Sequence, residues 1–231
     1  MNIHTIYHII FKFWRQKRMV RFEALIKPNA DDIVLDVGGY PATWISRPQI
    51  TNRVDCLNVH PVNWDSGRHP NHRITTIVGD GCSLSYENDS YDILFSNSVI
   101  EHVGDWNKQK AFASEARRVG QRIWVQTPAY ECPIEPHFLA PFVHWLPIPI
   151  RRRVLRWLTL WGWMSKPTQD TIDKTISFTR LLSKKQVKAL FPDCIIITER
   201  LWGIFPKSYI AYRTKSQQAE GESPHLSPPQ E

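Results

Sequence analysis

Along the 231 residues, short apolar runs recur at 33–37, 53–59, 73–78, 91–95, 122–126, 194–198 and 208–212, with polar turns between them. Runs of this length with little alternation predict strands covered on both faces, as in a parallel sheet. Between several runs the apolar spacing lengthens to a helical period. The clearest case is 106–119, where Trp106, Phe112, Ala113, Ala116 and Val119 share a face. Strands alternating with helices predict βαβ units. The last two runs are joined through Gly203 and Pro206 without a helical pattern, which predicts an antiparallel hairpin at a sheet edge. Upstream, Ile3, Ile6, Ile10, Phe13, Trp14, Val20 and Phe22 fall among Lys12, Arg15, Lys17, Arg18 and Arg21. That spacing predicts a basic amphipathic helix over 3–26, ended by Pro28-Asn29. From Thr214 onward almost nothing is apolar, which predicts a disordered tail. The expected organisation is a helical segment over 1–29, one domain over 30–213 with an inserted region at 128–180, and a tail over 214–231.

One run ends in unusual chemistry. Ile33-Val34-Leu35-Asp36-Val37-Gly38-Gly39 closes an apolar strand with an acid and two glycines. Glycine lets a loop bend sharply and lets its backbone approach a ligand. The carboxyl end of the first strand is where open α/β sheets hold nucleotide-like cofactors. The glycine pair alone does not name the cofactor.

Composition narrows the class. Apolar residues make up 42% and charged residues 22%, which is globular rather than disordered. Cys56, Cys82, Cys132 and Cys194 are far apart, with neither a C-x-x-C pair nor metal-ligand spacing. A reduced intracellular compartment follows, and no metal site is expected. No run reaches the roughly 18–20 apolar residues of a spanning helix, because Lys12 and Arg15 interrupt the N-terminal candidate. Without a small-residue cleavage site after an apolar stretch, a secretory signal is not expected.

Four pieces in order carry a family resemblance: Val34–Gly39, then Val78-Gly79-Asp80-Gly81 with Leu84, then Tyr91-Asp92-Ile93-Leu94-Phe95-Ser96-Asn97-Ser98-Val99-Ile100-Glu101-His102-Val103, then the 106–119 helix leading to Gln126-Thr127-Pro128. With these pieces the chain resembles the class I S-adenosylmethionine-dependent methyltransferases, especially the type 11 domain. The resemblance implies a Rossmann-like α/β fold: a mostly parallel seven-stranded sheet, helices on both faces, and an antiparallel C-terminal hairpin. It implies S-adenosylmethionine as cofactor, with Gly38 and Gly39 beside its methionine part and Asp36 orienting its amine. A side chain at Gly38 would then stand in the cofactor's path. Asp80 would accept from the adenine amino group, Gly81 and Cys82 would give the ring room, and Asn97 would sit near the sulfonium.

Two positions depart from the family pattern. Tyr40-Pro41-Ala42 stands where a further glycine is usual, and proline removes an N–H from that loop. Asn58 stands where an acid normally ends the second strand and grips the ribose, so weaker gripping is expected. Asp55 has the right chemistry, but its odd spacing from Asn58 puts it on the opposite face.

Catalytic candidates come from two places. Glu101-His102 lies after the fourth strand, where the family uses such a pair to shape the pocket. His137 lies in the region after the fifth strand, where a histidine could take a hydroxyl proton while Glu135 steadies its tautomer. The expected reaction is methyl transfer to a small or lipid-linked acceptor, with a hydroxyl preferred. The alternatives are a non-catalytic methyltransferase-like subunit, in view of Asn58 and Tyr40-Pro41, and a nicotinamide-dependent oxidoreductase, which the missing G-x-G-x-x-G disfavours.

The formal charge of +7 is clustered. Trp145, Trp157, Trp161 and Trp163 alternate with Arg151, Arg152, Arg153 and Arg156, and no acid falls between Glu135 and Asp170. Tryptophan and arginine beside an apolar face suit a helix lying in a membrane interface. The expectation is a cytoplasmic protein, peripheral at the inner face of an anionic membrane, with no nucleic-acid partner. The alternative is a lid with its tryptophans turned inward. The oligomeric state is left open.

Overall fold

The computed structural model describes residues 3–65, 68–69, 72–135 and 137–215, with side chains from Trp14 onward. The expected tail therefore falls almost wholly outside the described residues. After helix α1 (Ile3–Ile26) come strand β1 (Ile33–Val37), the short helix α2 (Ala42–Ile45), β2 (Arg53–Asn58), β3 (Ile74–Val78), β4 (Tyr91–Asn97), α3 (Trp106–Val119) and β5 (Gly120–Pro128). An insert follows, built from β6 (Ile134–Glu135), β7 (Ala140–Pro141), α4 (Ile148–Leu158), α5 (Leu160–Ser165) and α6 (Gln169–Phe178). The chain then returns through α7 (Lys184–Leu190) to β8 (Ile195–Leu201) and β9 (Phe205–Arg213).

Among the described residues the main sheet has seven strands in the order β3-β2-β1-β4-β5-β9-β8, in which β9 alone is reversed, pairing antiparallel with both β5 and β8. This is the doubly wound fold expected from the motifs. All seven apolar runs become strands of this sheet.

Alternation along each strand fills two cores. Leu35, Val37, Leu94, Ile123 and Val125 face α3 and α7, where Phe112, Ala116, Val187 and Leu190 cover them. Val34, Ile93, Phe95 and Trp124 face the other way and are covered by Met19, Phe22 and Ile26 of α1. Phe22 is fully buried, with its ring edge-on to Phe95 at 5.0 Å, Trp124 at 5.7 Å and Trp44 at 6.2 Å. The same helix sends one charge inward. Arg18 donates to Glu199 at 2.8 Å and Gln126 at 2.9 Å, fastening α1 to β8 and β5.

The insert has a core of its own, made by Phe138, Ala140, Val143, Leu155 and Ile172. It is fixed to the sheet where Ala129 bridges Leu182 and where the Arg180 N–H donates to the Glu101 carbonyl at 2.8 Å. Both anchors lie at the carboxyl edge of the parallel strands.

Phe22→Ala removes an aromatic ring from a closed core and is expected to cost about 3–5 kcal/mol of unfolding free energy. Urea denaturation measures it. Parental stability would show that α1 is not part of the folding core.

Candidate active site

The loop after β1 is shaped by crowding. Gly38 has φ +75°, and a Cβ there would lie 2.4 Å from Val99 Cγ2. At Gly39 a Cβ would overlap the Asp36 carboxylate, 1.8 Å from Oδ2. Asp36 is buried and accepts from the Trp44 indole N–H at 2.8 Å. Burial pushes its carboxyl up to about 7, against the pull of the Trp44 bond. The Gly38 N–H donates to the Leu57 carbonyl at 2.7 Å, and the Asn58 amide donates to the Gly39 carbonyl at 2.6 Å. Both glycines are thus required by the chain's own packing. A side chain at Gly38 meets Val99, so such a variant loses stability whatever it does to a ligand.

A second loop adjoins the first. Asp80 accepts from the Cys82 N–H at 2.8 Å, and its other oxygen lies 3.7 Å from Lys108 Nζ. Gly81 lets this turn lie on the end of β1, because a Cβ would stand 2.6 Å from Val37 Cγ1. The Cys82 thiol is pushed up to about 11 by burial and the Asp80 charge. Asp55 belongs to the other face of β2, where the Tyr91 hydroxyl donates to it at 2.9 Å and Arg53 lies 3.0 Å away. At the ends of β4 and β5, Asn97 and Gln126 are register partners. Asn97 Oδ1 and Gln126 Nε2 are buried with no hydrogen-bond partner among the described residues.

Immediately past Val99, a 3-10 helix over Ile100–His102 carries Glu101 and His102. The structure brings His137 to them from the insert. His137 Nε2 lies 3.1 Å from His102 Nε2, and His137 Nδ1 lies 2.6 Å from Glu135 Oε1. Glu101 is fully buried and accepts from the Thr127 hydroxyl at 3.0 Å. Burial raises its carboxyl to about 7, and the His137 charge opposes the rise. Desolvation and the His137 charge lower His102 to about 4. His137 moves the other way: desolvation opposes its charging, but the Glu135 bond and the Glu135 and Glu101 charges outweigh it and raise the pKa.

Residues 35–122 match the family model of a methyltransferase domain. That stretch is similar to methyltransferase domains. Solved structures share the fold. The PH0226 protein of Pyrococcus horikoshii OT3 aligns over 87% of this chain and 89% of its own, with TM-score 0.52 and 14% identity. DhpI, solved with SAH, aligns over 89% and 85%, with TM-score 0.53 and 14% identity. The chain spans only 24% of a phosphoethanolamine N-methyltransferase from Haemonchus contortus, matched over 46% of this chain with TM-score 0.40 and 17% identity. No curated protein sequence matches the chain.

In the methyltransferase fold, the sequence motifs Asp36, Gly38, Gly39 and Asn58 form one bonded loop, and Asp80, Gly81 and Cys82 adjoin it. Trp44 and Val99 complete that loop. The motif reading missed both, because nothing in their spacing marks a side chain that braces a backbone. Gln126 was legible only as the end of a strand, although it stands beside Asn97 in the sheet and its Nε2 has no partner among the described residues.

Asn58→Leu removes the donor to the Gly39 carbonyl and leaves that oxygen without its partner. The expected loss is about 1–3 kcal/mol of S-adenosylhomocysteine binding, read by calorimetry. Parental affinity would separate Asn58 from the cofactor loop.

Proposed function

We propose that the chain moves the methyl group of S-adenosylmethionine onto an oxygen of a small or lipid-linked acceptor that enters beside His102 and His137. The observation that carries this reading is the imidazole pair itself. Two Nε2 atoms lie 3.1 Å apart, and Glu135 holds one ring from behind. The pair stands directly after Val99, the residue against which the glycine loop packs. Cofactor contacts are assigned to Asp36, Gly38, Gly39 and Asn58 on one side, to Asp80, Gly81 and Cys82 on another, and to Asn97 near the sulfonium. Asp36 and Asn58 act by holding the loop.

Methyl transfer needs an in-line approach of acceptor oxygen, methyl carbon and sulfur, so alignment supplies much of the rate. The oxygen attacks the methyl carbon, the carbon–sulfur bond breaks, and S-adenosylhomocysteine leaves. A hydroxyl acceptor must also lose its proton, and that step is placed at the His102–His137 pair. A cavity of about 520 Å³ shares Glu135 with the pair and is also lined by Arg151, Arg180 and Lys185. With Arg151 turned to backbone carbonyls, Arg180 and Lys185 against one acid favour an acceptor that carries an anionic group.

His137→Ala is expected to lower turnover by about 10²–10⁴ while leaving S-adenosylhomocysteine affinity unchanged. The measurement follows labelled methyl from S-adenosylmethionine into polar and lipid extracts. Parental turnover would remove the pair from the mechanism.

The tryptophan-rich insert supports a docked position at an anionic lipid surface. Trp157, Leu158 and Trp163 are 66%, 63% and 63% exposed, which does not suit an inward-packed lid. Among the described residues, no helix is long and apolar enough to cross a membrane. The cationic set is smaller than the four arginines of the sequence. Arg151 is spent on the carbonyls of His144 at 2.5 Å and Leu146 at 3.1 Å, and Arg152 pairs with Asp173. Arg153 and Arg156 remain, the latter 5.5 Å from the Trp157 ring centroid. Each contributes about 1 kcal/mol near anionic lipid. The protein is expected to sediment with anionic liposomes and not with neutral ones, and Arg153→Gln with Arg156→Gln to weaken this. A parent that stays in the supernatant at low salt would leave the insert as a lid over a soluble acceptor.

A further inference from the structure

The imidazole pair turns two ring nitrogens toward each other. His137 presents Nδ1 to the Glu135 carboxylate at 2.6 Å, so its Nε2 is the nitrogen aimed at His102, 3.1 Å from His102 Nε2. Either a proton shared between the two nitrogens or a metal ion bound by both satisfies that contact. A third donor converges on the same point. Glu101 Oε1 is buried without a hydrogen-bond partner among the described residues, and lies 4.0 Å from His102 Nε2.

We propose that Glu101, His102 and His137 hold one divalent transition-metal ion, with zinc the best match. The three donor atoms lie within 4.8 Å of one another. An ion bound tetrahedrally at about 2.0–2.1 Å sets its ligands roughly 3.3 Å apart, so the nitrogens are close to place and Glu101 needs only a small approach. Two imidazoles and a carboxylate select zinc or its neighbours over magnesium and calcium. The surroundings are those of a metal site: a carboxylate behind His137 fixes its tautomer, and the Thr127 hydroxyl fixes the far oxygen of Glu101. Three protein ligands leave a position open, as in catalytic rather than structural zinc sites.

The role of the ion rests on the proposed methyl transfer to oxygen. An acceptor hydroxyl taking the open position ionises there, its proton passing to water. The oxygen then attacks the methyl carbon, and the carbon–sulfur electron pair stays on sulfur as a neutral thioether. His102 and His137 act through the ion, whose oxidation state does not change.

The test uses the full chain, stripped with chelator and titrated with cobalt(II) alone, followed by visible absorbance, and separately with zinc(II) by calorimetry. The expected result is uptake of one equivalent, with the absorbance bands of a low-coordinate cobalt site. Glu101→Gln and His102→Asn should each weaken uptake about tenfold or more. His102 is 42% exposed, so its variant keeps the fold where the Glu101 variant could lose it. S-adenosylhomocysteine affinity, measured on the same stripped proteins, should not change. No saturable uptake by the folded parent overturns the site, as does uptake of parental affinity in His102→Asn, which would place the ion elsewhere, for example at His69 and His72. Metal uptake without S-adenosylhomocysteine binding would keep the site and remove the methyl-transfer reading. The reverse result would remove the site alone.

Discussion

In a parallel sheet every strand delivers its loop to the same edge, and here the loops of β1 and β4 compete for one place. Gly38 and Val99 are pressed together until no Cβ fits between them. This contact sets the height of the glycine loop above the sheet. It also sets where the chain turns after Val99 into the short helix that carries Glu101 and His102. The Asn58 bond to the Gly39 carbonyl and the Trp44 bond to Asp36 then hold the loop from the other side. The glycine loop and the short helix that carries Glu101 and His102 are thus parts of one packed unit.

Charge inside this unit is managed by burial rather than by pairing. Asp36 and Glu101 are both carboxyls in closed surroundings, and burial raises both toward neutrality. Their settings differ. Asp36 has an indole donor and a glycine backbone around it, so it stiffens a loop. Glu101 has one oxygen satisfied by Thr127 and the other facing the imidazoles. An acid with one idle oxygen beside two histidines is chemically open in a way that Asp36 is not.

The strands were readable because apolar runs bounded by turn residues leave few alternatives, and 106–119 was readable because its apolar residues keep one face. The glycine loop was readable as a place but not as a mechanism. Both positions do require glycine, yet the atoms that demand it belong to Val99 and to Asp36 itself. His137 was singled out in a loop, but its meeting with His102 spans 35 residues and depends on how the insert folds onto the sheet. The arginines of α4 looked alike in sequence, and only their partners separate Arg151 and Arg152 from Arg153 and Arg156. Local patterns report periodicity and turn chemistry; they do not report which backbone carbonyl a guanidinium will find.

The buried Arg18 guanidinium has a consequence for how the chain is made. Its carboxylate partner, Glu199, lies 181 residues later, on a strand at the far edge of the sheet. During synthesis α1 emerges well before the group that neutralises its buried arginine. Until β8 arrives, burying Arg18 would strand a charge in an apolar layer. Docking of α1 is thereby coupled to the arrival of β8, while the pairings from β1 to β5 need no such partner.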